Sequence, residues 1–281
     1  MKFGVHSFLW SAGFGESDVG LFALAKQYGF DGLEIPLFEP RSFPAAAVRR
    51  ALEANRMECT VSAVMVEGLS LISEDAGVRR RARAHLADAI RAVADAGANL
   101  LVGPLYSPVG YLPGRRRTRD EWRWAVEAYR ELTTVLDPNG VTLAIEPLNR
   151  FETYFLNTAA DAVALAIEVD HPRVGVLLDT FHMNIEEKNL GAAYRLAGRH
   201  LKHVHACEND RGTPGTGHIE WNAVFAALRE IGYDGWLTIE SFGFALGGIS
   251  AAASIWRDLE SSPDLIAIEG IKFLKRMAAR A

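Results

Sequence analysis

One pattern of residues occurs near both ends of the chain: AKQYGFDGLEI at residues 25–35 and LREIGYDGWLTIE at residues 228–240. Each copy reads as the end of a helix, a glycine, a short turn with a second glycine, and an apolar strand that ends near a glutamate. Gly29 and Gly232 suit the left-handed conformation that terminates many helices. A repeated helix–turn–strand unit indicates an α/β fold in which helices connect parallel strands.

The segments between the two copies continue this alternation of short apolar and longer amphipathic stretches. The predicted strands are Phe3–Phe8, Gly32–Leu37, Glu58–Met65, Leu100–Leu105, Thr142–Leu148, Val174–His182, Leu201–Cys207 and Trp236–Phe242. The predicted helices include Leu21–Tyr28, Ala45–Asn55, Val78–Ala96, Asp120–Leu136, Thr158–Val169 and Trp221–Ile231. Eight strand–helix units in about 250 residues predict a (β/α)8 TIM barrel, whose catalytic groups lie at the C-terminal ends of the strands.

A doubly wound open sheet is the alternative α/β architecture. No G-x-G-x-x-G turn follows the first predicted strand, and this absence disfavours the open sheet. The chain has 281 residues and no linker-like change in composition, so we expect a single barrel domain that spans residues 1–281.

Composition and charge exclude several classes of protein. The chain has 30 Lys and Arg residues against 35 Asp and Glu residues, which gives a formal net charge of −5. No nucleic-acid partner is expected, because phosphate backbones bind to clustered positive charge. No apolar run reaches the roughly 20 residues that cross a bilayer, so no membrane partner is expected either. With only Cys59 and Cys207, and no signal-like segment at Met1–Val5, we expect a cytoplasmic protein.

The last four predicted strands each end in a residue that can bind a metal ion. The four ends are AIEP at 144–147, LLDT at 177–180, KHVH at 202–205 and TIES at 238–241. Side chains alternate between the faces of a strand, so an outward Ile145 leaves Glu146 facing the barrel axis. The same alternation points Asp179, His205 and Glu240 inward.

These four residues are expected to converge on one metal ion. The spacings between Glu146, Asp179, His205 and Glu240 are 33, 26 and 35 residues, each close to one strand–helix unit. Three carboxylates forced together repel one another, and burial strengthens the repulsion, which a divalent cation removes. Three oxygen donors and one imidazole suit Mn²⁺, Co²⁺ or Mg²⁺ better than a closed, sulfur-rich zinc site. We therefore predict one divalent metal ion per chain, with about two coordination positions open for substrate oxygens.

The segments around these residues resemble the D-tagatose 3-epimerase family, which includes D-allulose (psicose) and L-ribulose 3-epimerases. The matching stretches are IEPLNRFETYFLNT at 145–158, LLDTFHMNIEE at 177–187, HVHACENDRGTPGTGHIEW at 203–221 and LTIESF at 237–242. The resemblance covers residues 2–245 and is strongest from residue 145 onward. It implies a (β/α)8 barrel enzyme of the isomerase class that binds a metal ion through the positions matching the four predicted ligands.

The same resemblance implies substrate contacts from three further positions: Glu152, His182 and Arg211. It also implies a small-molecule ketose partner and a homo-oligomer, either a dimer or a tetramer. The C-terminal segment Leu265–Met277 is apolar enough to form a subunit interface, or it is the last barrel helix. Mn²⁺ is the expected ion, with Co²⁺ or Mg²⁺ as alternatives.

Inverting a carbon next to a ketone requires removing a proton from one face and returning one to the other. Because this carbon is a weak acid, the cis-enediolate intermediate needs the electrostatic stabilisation that a Lewis-acidic metal supplies. Glu146 and Glu240, from the fifth and eighth strands, are expected to flank the sugar as general base and general acid. The expected reaction is C3 epimerisation of free ketoses: D-fructose/D-allulose, D-tagatose/D-sorbose or L-ribulose/L-xylulose.

The three substrate positions have separate expected roles. His182 donates to the C2 oxygen of the sugar or orients a metal-binding carboxylate. Glu152 binds the C1 hydroxyl and orients His182. Arg211 lies in a turn-rich loop and offers a planar fork of donors, although a loop arginine is by default a surface residue.

Other polar and aromatic residues receive no firm role. His203 is expected to be a satisfied interior histidine, while His6 and Glu34 point inward at early strand ends. The remaining polar candidates are the loop residues Glu208, Asp210 and His218. The aromatic candidates for covering the far end of the sugar are Phe8, Trp10, Tyr106, Tyr111 and Phe242.

Three other functions fit parts of the pattern. An aldose–ketose or hydroxypyruvate-type isomerase needs the same metal and enediolate, but it moves the proton between C1 and C2. A DNA-repair barrel of the endonuclease IV type needs several metals and a basic groove, which a net charge of −5 disfavours. A non-catalytic sugar-binding protein has no need for two glutamates on one metal ion. The isomerase is the nearest alternative.

Overall fold

The computed structural model describes residues 1–244 and 246–280, and its centre is a closed barrel of parallel strands in the order β1 to β8. Each strand pairs with the next one in the chain, and β8 closes the barrel on β1. The strands are β1 (Lys2–His6), β2 (Gly32–Leu37), β3 (Glu58–Ala63), β4 (Leu100–Gly103), β5 (Thr142–Ile145), β6 (Val174–Asp179), β7 (Leu201–His205) and β8 (Trp236–Ile239). The predicted (β/α)8 TIM barrel is confirmed, while the domain bounds 1–281 stay a prediction.

Helices connect the strands around the outside of the barrel. They are α1 (Leu21–Gln27), α2 (Ala45–Asn55), α3 (Ala76–Asp95), α4 (Arg119–Asn139), α5 (Ala159–Val169), α6 (Thr180–Glu186), α7 (Leu190–Ala197), α8 (Trp221–Glu230), α9 (Gly248–Ala252) and α10 (Pro263–Arg280). Helix α10 contains the predicted segment Leu265–Met277 and contacts α8 and β8, so this segment forms the last barrel helix. Across the described ranges, no helix has both the length and the apolar character that spanning a membrane requires.

Most strands end earlier than the sequence predicts, because the chain leaves the sheet at the residues that face the barrel opening. The predicted strand Thr142–Leu148 ends at Ile145, since Pro147 has no N–H with which to continue the ladder. The predicted strand Val174–His182 ends at Asp179, whose side chain accepts a hydrogen bond from the Phe181 amide at 2.7 Å and caps α6. Helices α6, α7 and α9 are not among the helices predicted from the sequence.

The apolar core is divided between the outside and the inside of the barrel. Ile145, Leu178 and Val204 belong to the large cluster between the strands and the helices. A small separate cluster fills the barrel interior and consists of Leu100, Val102, Ala144, Leu177 and Trp236. This division confirms the alternation deduced from the sequence, because neighbours in one strand belong to opposite clusters.

The register of the strands sets the height of the inward side chains. Asp179 in β6 is the pairing partner of His205 in β7, and His205 in turn pairs with Thr238 in β8. The Glu146 amide donates to the carbonyl oxygen of Gly103 at 3.0 Å, which continues the pairing of β5 with β4 by one residue. These residues therefore all lie near the C-terminal end of the barrel.

Gly103 holds β4 and β3 in close contact at this end of the barrel. Its φ is +125°, and a Cβ atom there would lie 2.2 Å from the carbonyl oxygen of Ala63. We expect Gly103→Ala to lower the free energy of unfolding by about 3 kcal/mol, through backbone strain and overpacking. Urea unfolding midpoints measure the loss. Gly13→Ala, where no atom lies within 4 Å of the new methyl group, should change stability by less than about 1 kcal/mol. Equal midpoints for the two variants would contradict the prediction.

Candidate active site

A cavity of about 190 Å³ opens at the C-terminal ends of the strands. Its lining includes all of the predicted site residues except Asp179: Glu146, Glu152, His182, His205, Arg211 and Glu240. Asp179 is completely buried next to this lining, where one of its oxygens lies 3.8 Å from His182 Nε2. The structure thus brings together the residues that the sequence singled out.

The four predicted metal ligands form two overlapping groups. Ligand atoms of Asp179, His205 and Glu240 all lie within 4.8 Å of one another, and so do those of Glu146, Asp179 and His182. His205 Nδ1 lies 3.6 Å from Glu240 Oε1 and 3.9 Å from Glu146 Oε1. His182, which was expected to contact the sugar, therefore also lies next to two of the predicted metal ligands, Glu146 and Asp179.

Two buried atoms at the centre of this cluster have no hydrogen-bond partner among the described residues: Asp179 Oδ2 and His205 Nδ1. The other oxygen of Asp179 accepts from the Phe181 amide at 2.7 Å and from Cys207 Sγ at 3.3 Å. Buried polar atoms are rarely left without a partner. A divalent cation would satisfy both atoms, and carboxylate oxygens with one imidazole nitrogen are the donors that Mn²⁺, Co²⁺ and Mg²⁺ accept.

The electrostatics of the cluster also favour a cation. Burial raises the pKa of Glu146 well above its usual range, and Glu240 and Asp179 add to the shift. Burial and the charge of Glu240 raise the pKa of Asp179 to about 6. Burial opposes the charged ring of His205, but Glu240 and Glu34 outweigh it and raise its pKa well above the usual range. The cluster therefore needs either protons or a positive ion to offset its negative charge.

His182 directs one ring nitrogen into the protein and the other into the cavity. Nδ1 accepts from the backbone amide of Asn149 at 3.1 Å and lies 2.9 Å from the side-chain amide nitrogen of Asn149. The proton of the neutral ring is therefore on Nε2. Burial, together with Arg211, lowers the pKa of His182 well below its usual value, which keeps the ring neutral.

Glu152 hydrogen-bonds to Asn149 and is linked to His182 through that residue. Its Oε1 accepts from the side-chain amide of Asn149 at 2.9 Å, and Asn149 in turn contacts His182. Oε1 also lies 3.5 Å from Arg211 Nη2. Asn149 is thus the link between Glu152 and His182, and sequence reasoning missed it although it lies inside the quoted stretch 145–158.

Arg211 is 4% exposed, although a loop arginine is by default a surface residue. Its guanidinium lies 4.2 Å from the ring centre of Phe181 and 5.0 Å from that of Phe242. Nη1 donates to the carbonyl oxygen of Ala253 at 3.2 Å, while Nη2 lies 3.3 Å from His182 Nε2. Two donors, Arg211 Nη2 and His182 Nε2–H, therefore lie side by side and share no acceptor among the described residues.

The loop that carries Arg211 is organised by Glu208, another residue that was given no role. Glu208 is completely buried. Its carboxylate accepts from the amides of Gly215 at 2.9 Å and Ile219 at 3.2 Å, and from the indole of Trp221 at 2.6 Å. These three hydrogen bonds hold the loop in its conformation. They do so although Arg211 has a φ of +64°, which is unfavourable for a residue other than glycine.

The remaining candidates divide into interior and surface residues. His203 is a buried interior histidine, but the expectation that it is satisfied is wrong: Nε2 lies 2.8 Å from Glu34 Oε2, yet neither ring nitrogen has a hydrogen-bond partner among the described residues. Asp210 pairs with Arg257, and His218 contacts Asn184 at the surface. Of the aromatic candidates, Phe8 and Phe242 line the cavity, while Trp10, Tyr106 and Tyr111 do not.

Comparisons with known proteins agree with this geometry. A sequence profile described as Xylose isomerase-like TIM barrel matches residues 22–277. The probable ketose 3-epimerase of Synechocystis sp. is 39% identical over 276 residues, which cover 98% of this chain and 96% of the relative. The D-psicose 3-epimerase of Ruminiclostridium cellulolyticum is 35% identical, with 94% of this chain and 92% of the relative covered.

A solved structure shows the same likeness in three dimensions. The D-allulose 3-epimerase of Methylomonas sp., crystallised in complex with D-allulose, superposes with a TM-score of 0.93 at 29% identity. The superposition covers 99% of this chain and 97% of that chain. The chain therefore belongs to the xylose isomerase-like TIM barrel family and, as the sequence resemblance indicated, to its ketose 3-epimerase group of isomerase-class enzymes.

Proposed function

We propose that this protein catalyses the metal-dependent C3 epimerisation of free ketoses. The observation that carries the proposal is the convergence of Glu146, Asp179, His205 and Glu240 beside a cavity of about 190 Å³. At the centre of this cluster lie buried polar atoms that have no hydrogen-bond partner in the described part of the chain. The family membership and the activities named for the relatives support it. Candidate substrate pairs are D-fructose/D-allulose, D-tagatose/D-sorbose and L-ribulose/L-xylulose.

The ion would be held by four residues: Glu146, Asp179, His205 and Glu240. We assign Mn²⁺ to the site, with Co²⁺ or Mg²⁺ as alternatives. When bound, such an ion supplies Lewis acidity that stabilises negative charge on the substrate oxygens. Asp179 is suited to binding the ion without taking part in proton transfer, because it is completely buried and does not line the cavity.

Glu146 and Glu240 are the proposed acid and base. Both line the cavity. Glu146 follows β5 and Glu240 follows β8, and each places an oxygen within 4 Å of His205 Nδ1. Burial raises the pKa of Glu146, which suits a carboxyl group that must hold a proton and release it again. For one epimer Glu146 donates while Glu240 removes the C3 proton, and for the other epimer the assignments reverse.

The adjacent donors of His182 and Arg211 are the proposed binding site for the C2 oxygen. His182 Nε2–H and Arg211 Nη2 lie 3.3 Å apart, so one oxygen lying to the side of both nitrogens, at hydrogen-bond distance from each, would accept from both. These donors would stabilise that oxygen most when it carries the charge of the enediolate. Glu152 Oε1 lies 3.5 Å from Arg211 Nη2 and is placed to accept from the neighbouring C1 hydroxyl.

The lining favours a sugar without a phosphate group. Among the described residues, Arg211 is the one lysine or arginine in the cavity wall, and it already contacts Glu152 and Ala253. Much of the remaining wall is apolar and includes Phe8, Phe38, Phe242 and Ile249. A phosphate dianion would lose its hydration there without gaining a set of donors. A homo-oligomeric state and a cytoplasmic location stay predictions from the sequence.

A panel of ketoses tests the reaction directly. Purified protein with Mn²⁺ should convert a ketohexose or ketopentose into its C3 epimer, detected by sugar chromatography. In D₂O, NMR should show deuterium at C3, because the proton that is returned exchanges with solvent. An aldose product with label at C1 or C2 would instead establish the isomerase, and the absence of any product across the panel would contradict the proposal.

Neutralising either proposed acid–base residue should abolish most of the turnover. General acid–base groups contribute about 10²- to 10⁴-fold, so we expect Glu146→Gln and Glu240→Gln each to lower kcat by about 10³-fold or more. Steady-state epimerisation rates at saturating Mn²⁺ measure the effect. Glu16→Gln, at an exposed glutamate, is the matched control and should retain full activity. A variant of either site residue with normal kcat would refute its role.

Metal binding should depend on pH in a defined direction. Burial and Glu240 raise the pKa of Asp179 to about 6, so protons compete with the ion below that pH. We expect Mn²⁺ to raise the Tm of the metal-stripped protein more at about pH 7.5 than at about pH 5, where the carboxyl group is mostly protonated. Thermal unfolding with and without Mn²⁺ measures both shifts. Asp179→Asn should lose the shift at both pH values, and equal shifts in the unmodified protein would contradict the assignment.

A further inference from the structure

Glu34 is a completely buried carboxylate that the proposed reaction does not use. It lies in β2, and its side chain reaches across the barrel to β7, where Oε1 is 2.6 Å from His205 Nε2. Oε2 lies 2.8 Å from His203 Nε2 and accepts from the hydroxyl of Thr60 at 2.6 Å. The contact between Glu34 and His205 joins residues 171 positions apart in the chain.

A metal-binding imidazole is neutral, and in the neutral ring of His205 this contact determines which nitrogen carries the single proton. An ionised carboxylate only accepts hydrogen bonds, so the ring must present N–H to it at Nε2. A ring with its single proton on Nε2 keeps a lone pair on Nδ1. That atom is buried, has no partner among the described residues, and lies within 4 Å of Glu146 and Glu240. The ring is thereby held with its available lone pair facing the proposed metal ligands.

A second metal ion between Glu34, His203 and His205 is the alternative explanation, because their ligand atoms also lie within 4.8 Å of one another. The separation of 2.6 Å between Glu34 Oε1 and His205 Nε2 is that of a direct N–H···O hydrogen bond. In such a pair the proton, and not a metal ion, lies between the two groups. The geometry therefore favours a positioning role over a second metal site.

We propose, building on the metal-dependent function above, that Glu34 is a positioning residue that holds His205 in the Nε2–H tautomer and sets the affinity of the metal site. The hydroxyl of Thr60 supports this role from the other side, because it occupies Oε2 and so fixes the rotation of the carboxylate. A carboxylate that orients a metal-binding histidine in this way typically changes metal affinity by about 10- to 100-fold.

The test is the affinity of the metal-stripped full-length chain for Mn²⁺, measured by competition with a fluorescent chelator. Glu34→Gln keeps the volume of the side chain but removes its charge and one of its two acceptors. We expect the Kd for Mn²⁺ to rise by about 10- to 100-fold. The visible absorption bands of the Co²⁺-loaded protein should also shift, because they respond to the orientation of the imidazole.

Glu121→Gln is the matched control, because Glu121 is 2% exposed and its carboxylate is held by Arg115 and Tyr154 away from the cavity. It also removes a buried charge, yet it should leave the Kd for Mn²⁺ and the Co²⁺ bands unchanged. If Glu34→Gln does not fold, Thr60→Val gives a second test, with a smaller rise in Kd that Thr60→Ser reverses.

These measurements test the positioning role of Glu34 independently of the epimerisation reaction. An unchanged Kd in Glu34→Gln, or two Mn²⁺ ions per unmodified chain with one lost in the variant, would overturn it. If the unmodified protein binds one Mn²⁺ ion and Glu34→Gln weakens binding, the role of Glu34 stands even if the ketose panel yields no epimer. Conversely, normal epimerisation with an unchanged Kd would leave the proposed function intact and remove the role of Glu34.

Discussion

One constraint organises this end of the barrel: three carboxylates and an imidazole are held together where little water can screen their charges. Asp179 is completely buried, His205 is 1% exposed and Glu146 is 5% exposed. Charges buried in this way are costly unless each finds a partner of opposite sign. Much of the surrounding hydrogen bonding, from the capped start of α6 to the carboxylate behind His205, keeps these groups in place despite their repulsion.

Much of the fold and of the ligand cluster could be predicted because both follow from a local, periodic rule. Side chains alternate along a strand, so the outward positions of Ile145, Leu178 and Val204 could be deduced from apolar residues alone, and their inward neighbours followed. Because the strands are parallel, their ends then lie at the same end of the barrel. The spacing of roughly one strand–helix unit between candidate ligands was sufficient to predict that they meet, since a closed barrel brings all strand ends to the same opening.

The remaining parts of the site could not be predicted, because they depend on contacts between segments that are distant in sequence. No local pattern shows that Glu34 reaches His205, or that Arg211 is buried between Phe181 and Phe242. Asn149 lay within a quoted stretch, yet its role as a link required the position of α6. The predicted strands were too long for a related reason: an apolar run continues past the point where a side-chain cap or a proline ends the pairing.

Asp179 is both the last residue of β6 and the cap of α6, and His182 lies in the first turn of that helix. One oxygen of Asp179 accepts from the Phe181 amide, while the other is free of hydrogen bonds within residues 1–244 and 246–280. The free oxygen and the His182 ring are therefore attached to a single rigid segment of backbone. Small movements of this part of the barrel would displace the Asp179 carboxylate and the His182 ring together and preserve their separation. Inserting even one residue after Asp179 would rotate the imidazole around the helix axis and uncouple the two groups.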